Sequence, residues 1–255
     1  MPSHILVVSP HLDDAALSAG SRIHHLAAEG AEVTVFTMFA GIPPLPYSPI
    51  AEYFHYTWGL EAEPMEHRRE EDRKAMARLG ATPLHGEFLD AVYRRRSDGG
   101  WLIDVDGPMV QGSEAVEPQL CDLLMRAVAE LAERIQPDVV LTSAAVGNHI
   151  DHRRTRDAVV TALAGKVPVR CWEDLPYGLR GSDIPPLPDG RALLDPVAET
   201  AGEASWAAKY EAIECYRSQH SMLWPPDADF RDLFDAHATS HGGGTPAELF
   251  RPVGP

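Results

Sequence analysis

The residues best equipped for chemistry are His11, Asp13 and Asp14, within Ser9-Pro10-His11-Leu12-Asp13-Asp14-Ala15-Ala16-Leu17-Ser18-Ala19-Gly20. An imidazole offers a nitrogen ligand, and Asp14, three residues on, faces the same point once a helix has begun. Asp13 is adjacent to Asp14 and must point elsewhere, which leaves it free as a base beside a metal. Either aspartate alone also suits a helix N-cap. A second stretch, Gly147-Asn148-His149-Ile150-Asp151-His152, combines the same residue types. His11, Asp14 and His152 make two imidazoles and one carboxylate, a catalytic zinc set with a position open for water. Alone, His149 or His152 reads as a surface or capping histidine. Two such stretches in equivalent positions read as a site.

Those positions follow from the flanking patterns. His4 to Val8 is a short apolar run suited to a strand buried on both faces, and Ala15 to Glu29 carries apolar residues at helical spacing. Pro137 to Thr142 reads as another strand and Asp151 to Ala164 as its helix. Both motifs therefore fall in strand-to-helix turns, at the end of a parallel sheet where ligands bind. Further strands are expected over 32–38, 84–89, 167–172 and, at an edge, 197–201, with helices over 66–79, 118–135 and 204–216. The expected fold is α/β: a single Rossmann-like, three-layer domain over 1–255, its sheet mostly parallel and its active site on the strand C-terminal rim. The segment 40–64, rich in proline and aromatics, reads as a long loop whose rings pack on the body or touch substrate. His220, His237 and His241 suggest a second metal site, but the glycines at 242–244 favour a plain helix end with histidines in its last turn.

The two motifs resemble those of the LmbE-like/PIG-L superfamily of zinc-dependent N-deacetylases, which carry His-Pro-Asp-Asp-Glu after strand one and His-x-Asp-His after a later strand. Further matching pieces are Arg68-Arg69-Glu70-Glu71-Asp72 through Leu79-Gly80, Glu173-Asp174-Leu175-Pro176-Tyr177, and Lys209 through Tyr216-Arg217-Ser218-Gln219. Leu12 stands in place of the family proline, Ala15 in place of the glutamate, and Gly147 where some sugar deacetylases have an oxyanion-stabilising tyrosine. The resemblance implies hydrolysis of an N-acyl group, most simply acetyl, on an amino sugar or glycoside. Zinc on His11, Asp14 and His152 would acidify water, with Fe2+ or another divalent metal as substitutes. Asp13 would act as the base, and His149, its charge supported by Asp151, would face the oxyanion. Arg68 matches the family arginine that approaches substrate, although a solvated helix face is its plain alternative. Asp90 (or Asp98), Asp174 and Tyr177 complete the substrate candidates. Asp174 alternatively backs a ligand or fixes a loop.

Composition narrows the field. Lys and Arg number 22 against 38 Asp and Glu, a net charge of −16, which argues against nucleic acid or an anionic membrane surface as partner. The expected partner is a small N-acylated molecule. Three isolated cysteines, a first strand close to Met1 and no long apolar run lead to the expectation of a cytoplasmic protein. The competing readings are an amidase of thiol-sugar conjugates, a two-His-one-carboxylate iron oxygenase, and a catalytically silent metal-binding or sensor domain. The turn after strand one lacks the glycines of a dinucleotide site, and its acids would repel a pyrophosphate.

Overall fold

The computed structural model describes residues 3–60, 62–103, 117–181, 183–225 and 227–255. Part of the stretch between the strand expected over 84–89 and the helix expected over 118–135 lies outside them. The described chain runs β1 (His4–Ser9), α1 (Asp14–Ala28), β2 (Glu32–Thr37), α2 (Pro49–Trp58), α3 (Pro64–Leu79), β3 (Thr82–His85), α4 (Pro118–Ile135), β4 (Val139–Ser143), α5 (Ile150–Leu163), β5 (Val169–Trp172), β6 (Val197–Thr200), α6 (Glu203–Ile213), α7 (His220–Leu223), α8 (Phe230–His241) and β7 (Ala247–Pro252). The seven strands form one sheet in the order β3-β2-β1-β4-β5-β7-β6. The first five are parallel, and β7 runs antiparallel to both β5 and β6.

The alternation of β1 shows why the sheet must be covered on both sides. Ile5 and Val7 enter one apolar cluster with α1 and α3, whereas Leu6 and Val8 enter another with α4 and α5. On the first face α1 packs closely on α6. A Cβ on Gly20 would stand 3.0 Å from the Lys209 side chain, so the missing side chain permits that approach. The register Ile5 to Val139 through Val8 to Thr142 makes β1 and β4 neighbours. The chain leaves β1 toward one edge and β4 toward the other, so the crevice at their carboxyl ends is the switch point of the sheet.

Among the departures from expectation, three bear on how the site is positioned. The segment 40–64 is not a loop throughout: Ser48 caps α2 by accepting the Ala51 amide, Pro49 takes the first turn, and Gly59 ends the helix at φ 68°. β3 starts two residues earlier than its pattern indicated and stops at His85. β7 was not anticipated, and it separates β6 from β5. Its sequence, Ala-Glu-Leu-Phe-Arg-Pro, lacks a continuous apolar run because Glu248 points inward. There Glu248 meets Lys209 Nζ at 2.7 Å and accepts the amides of Ser21 and Arg22.

Candidate active site at the switch point of the sheet

The β1–α1 turn is wired by its own side chains. Ser9 Oγ donates to the His11 carbonyl and accepts the Ala15 amide, while Asp14 Oδ2 accepts the His11 amide at 2.8 Å. Asp13 occupies the N-cap position of α1 yet makes no side-chain capping bond. The ordinary reason for an aspartate there is therefore absent. Asp13 is buried, its Oδ1 lies 3.6 Å from an Arg68 guanidinium nitrogen, and it faces the cavity.

Asp14 Oδ2 stands 3.2 Å from His11 Nδ1 and 3.3 Å from His152 Nε2. Ligand atoms about 2.0–2.1 Å from a tetrahedral ion lie about 3.3 Å apart, so both contacts of Asp14 Oδ2 have the spacing of neighbouring ligands on one divalent cation. Two further observations support that fit. His152 Nε2 is buried and has no hydrogen-bond partner among the described residues, although its Nδ1 is held by Asp174 Oδ1 at 2.9 Å. That arrangement leaves a lone pair on Nε2 aimed at Asp14, where only a cation or proton relieves the repulsion. On the other ring, His11 Nε2 meets Asp151 Oδ2 at 3.2 Å, leaving Nδ1 to face Asp14 Oδ2. Each imidazole is thus backed by a carboxylate, as metal-ligating histidines commonly are.

Electrostatics run the same way. Burial alone would lower the pKa of both imidazoles. The charge of Asp90 and the contacts with Asp14 and Asp151 overcome it and hold His11 well above its usual value. Asp14 and Asp174 likewise raise His152 to about 9. Burial would raise Asp14, but the two imidazoles hold it well below the ordinary carboxylate range. The crevice demands positive charge.

His149 behaves oppositely. Burial, reinforced by His11 and His152, lowers its pKa to about 3, so it is neutral. Its Nδ1 accepts the Asp151 amide at 3.2 Å, which puts the proton on Nε2 as a hydrogen-bond donor. The Asp151 carboxylate does not point at this ring as expected. It is directed at His11, at the Ala91 amide (2.9 Å) and at Arg94 (2.7 Å). The donor atoms of His11, His149 and His152 lie within 4.8 Å of one another, so His149 borders the same centre.

The remaining candidates separate clearly. Arg68, Asp90 and Tyr177 line a cavity of about 340 Å³ together with His11, Asp13, Asp14, His149 and His152. The solvated-face reading of Arg68 fails because its side chain is 5% exposed and stacks over Trp58 at 4.8 Å. Asp174 does not line the cavity. It sits fully buried behind His152, one oxygen taken by Ser143 and His152 and the other by the Val146 amide. Of its three readings, the geometry matches both the acid behind His152 and the loop-fixing hydrogen bond, not a substrate contact. Asp98 is spent in an exposed turn with Arg96 and Gly100.

Phe54 and Trp58, two of the rings of 40–64 expected to pack on the body or touch substrate, form an apolar wall of the cavity with Ile103, Leu175, Met222 and Leu223, which sequence reasoning missed. It also missed Arg94, whose guanidinium holds both Asp151 and Glu117 and whose only prior signal was membership of the Arg94-Arg95-Arg96 run. The family-like blocks away from His11 and His152 prove to be clamps. The Tyr216 hydroxyl donates to Asp72 at 2.8 Å, and Ser218 donates from both its amide and its hydroxyl to Glu71. These bonds fix α3 and so aim Arg68 inward. Leu12 and Ala15 both lie in the apolar core.

Comparison with known proteins identifies the family. Residues 6–163 match the family described as PIG-L, GlcNAc-PI de-N-acetylase. The 1D-myo-inositol 2-acetamido-2-deoxy-alpha-D-glucopyranoside deacetylase of Corynebacterium diphtheriae is 28% identical, covering 94% of this chain and 83% of its own. The zinc-inhibited form of teicoplanin deacetylase Orf2 superposes with a TM-score of 0.90 at 37% identity, covering 98% of both chains. The A40926 pseudoaglycone deacetylase Dbv21 gives 0.85 at 36% identity, covering 98% of this chain and 97% of that one.

Proposed function

The chain belongs to the PIG-L family, and from that premise we propose that it is a zinc-dependent hydrolase removing an N-acetyl group from an amino-sugar residue of a glycoside. The observation that carries the reading is Asp14 Oδ2 held between His11 Nδ1 and His152 Nε2, with Asp13 uncapped beside it. His11, Asp14 and His152 would hold the ion. When bound, zinc lowers the pKa of water toward neutrality and polarises a carbonyl oxygen.

The chain's own residues account for the rest. Asp13 accepts the proton of the attacking water and returns it to the leaving amine. Burial, partly offset by Arg68, raises its pKa toward the working range of a general base. His149, neutral and with its proton on Nε2, donates to the oxygen that gains charge. Unlike an imidazolium, it needs no carboxylate to sustain it. Asp151 and Asp174 orient the two ligating rings. Arg68 and Asp90 offer a charged donor and an acceptor to sugar hydroxyls. Leu17, Phe54, Trp58 and Leu175 form an apolar wall suited to an aglycone with hydrophobic surface.

No helix among the described residues is long and apolar enough to cross a membrane. The cysteines, free and unpaired with one another, support a cytoplasmic setting. Acetate release by the zinc-loaded protein tests the function, using N-acetylglucosaminyl glycosides with small or aromatic aglycones and a thiol-sugar amide for comparison. Turnover of glycosides that Asp13→Asn abolishes supports the proposal. Release from the thiol-sugar amide alone, or none from any substrate with full zinc loading, rejects it.

A further inference from the structure

A second group of metal-ligating side chains lies outside the cavity. Glu173 follows the last residue of β5, and His237 and His241 stand one turn apart on α8. Both rings present Nε2 to the same carboxylate oxygen: His237 lies 2.7 Å and His241 3.9 Å from Glu173 Oε2. The rings meet edge to face with centroids 4.4 Å apart, and all three donor atoms fall within 4.8 Å of one another. From these residues we propose a second divalent-metal site, of the zinc class, held by Glu173, His237 and His241.

The physical case is specific to this arrangement. Ligand atoms around a tetrahedral zinc ion lie about 3.3 Å apart, so the two distances to Glu173 Oε2, 2.7 Å and 3.9 Å, each differ from that spacing by about 0.6 Å. A hydrogen bond between one histidine and a glutamate would explain His237 without any ion. It does not explain a second ring directed at the same oxygen from the next turn. Two imidazoles and one carboxylate leave a fourth position for water. The side chains are 25%, 17% and 32% exposed, so an ion can enter. Of the neighbouring cations, Lys209 is paired with Glu248, while the charge of Arg251 also reaches Glu173.

The position gives the site a consequence. Glu173 precedes Asp174, which holds His152, and its side chain fills the space above Gly178, where a Cβ would come within 2.8 Å. Gly178 follows Tyr177 in the cavity wall. A metal bound here ties α8 to the segment carrying both residues.

Zinc titration of metal-stripped protein, with bound metal counted after gel filtration, tests the proposal without using activity. Wild type should bind two equivalents, and His237→Ala/His241→Ala one. Glu173→Gln, which preserves shape, should also bind one should the double variant fold poorly. The same removals in a His152→Ala background separate this site from the catalytic one, because the drop by one equivalent must recur there whatever His152 does. An unchanged stoichiometry on loss of His237 and His241, or with Glu173→Gln, overturns the second site.

Discussion

The ring of Tyr177 lies directly on Gly147: a Cβ on that glycine would stand 2.6 Å from Tyr177 Cδ1. Gly147 also holds φ +83°, a conformation that L residues adopt at a penalty of about 1–2 kcal/mol. A tyrosine projecting from position 147 would therefore compete with Tyr177 for space. Gly147→Ala should lower stability by about 1–2 kcal/mol in denaturant titration and raise KM for the glycoside by displacing Tyr177. Unchanged stability would mean that the turn at 147 relaxes out of the left-handed region, and an unchanged KM that the ring moves aside freely.

Asp13→Asn should keep one full equivalent of zinc at His11, Asp14 and His152 while acetate release falls by about 10²–10⁴-fold, the usual worth of a general base. Metal content and turnover measured on one preparation check this. Joint loss would make Asp13 a ligand or a structural residue.

His149→Ala should retain zinc and lower kcat by about 10²–10³-fold, the effect of removing one oxyanion donor. His149→Gln, which restores an N–H donor, should recover part of it. The depressed pKa adds a stability signature in the metal-free protein. Between the ordinary value of 6.5 and about 3, the unfolded chain binds a proton at His149 that the folded chain does not. Stability is therefore unaffected by this group above pH 6.5 and falls as the pH drops through that window. Urea titrations from pH 7 to pH 4 should show a shallower decline in His149→Gln than in wild type.

Asp174→Asn and Asp151→Asn should each weaken zinc binding by about 10–100-fold, the typical effect of losing a carboxylate behind a ligating histidine. Competition with a chromophoric chelator reads this directly. Unaltered zinc affinity with a raised KM would return Asp174 to the substrate contacts.

Much of this was legible in the chain. β1 and β4 are apolar enough to declare themselves, and His-Asp pairs immediately after each reveal the rim they share. What was not legible depends on contacts distant in sequence. The charge partner of Asp151 is Arg94, 57 positions away on a short turn without periodicity. Asp174 reads equally well as a loop acid until β5 and β4 lie side by side and put it behind His152. α2 hides behind its prolines, although Ser48-Pro49 is a regular helix start. β7 hides because its inward residue is charged, and Lys209 on a separate helix, with the amides of Ser21 and Arg22, makes that burial tolerable.

Tyr216→Phe should destabilise the fold by about 1–3 kcal/mol, because Asp72 is left with one buried oxygen unsatisfied. Urea unfolding at neutral pH measures it. An effect near zero would mean that His85, on the other oxygen at 2.7 Å, suffices alone.

The interior placement of β7 bears on how the molecule comes into being. Six strands emerge from the ribosome before it, yet β6 has no neighbour in the sheet until β7 arrives to bridge it to β5. Until then the ammonium of Lys209 lacks its counter-ion on an otherwise apolar face. A nascent chain halted before Ala247 should thus hold the catalytic crevice of β1 and β4 while leaving one flank of the sheet open to chaperones or to another unfinished copy.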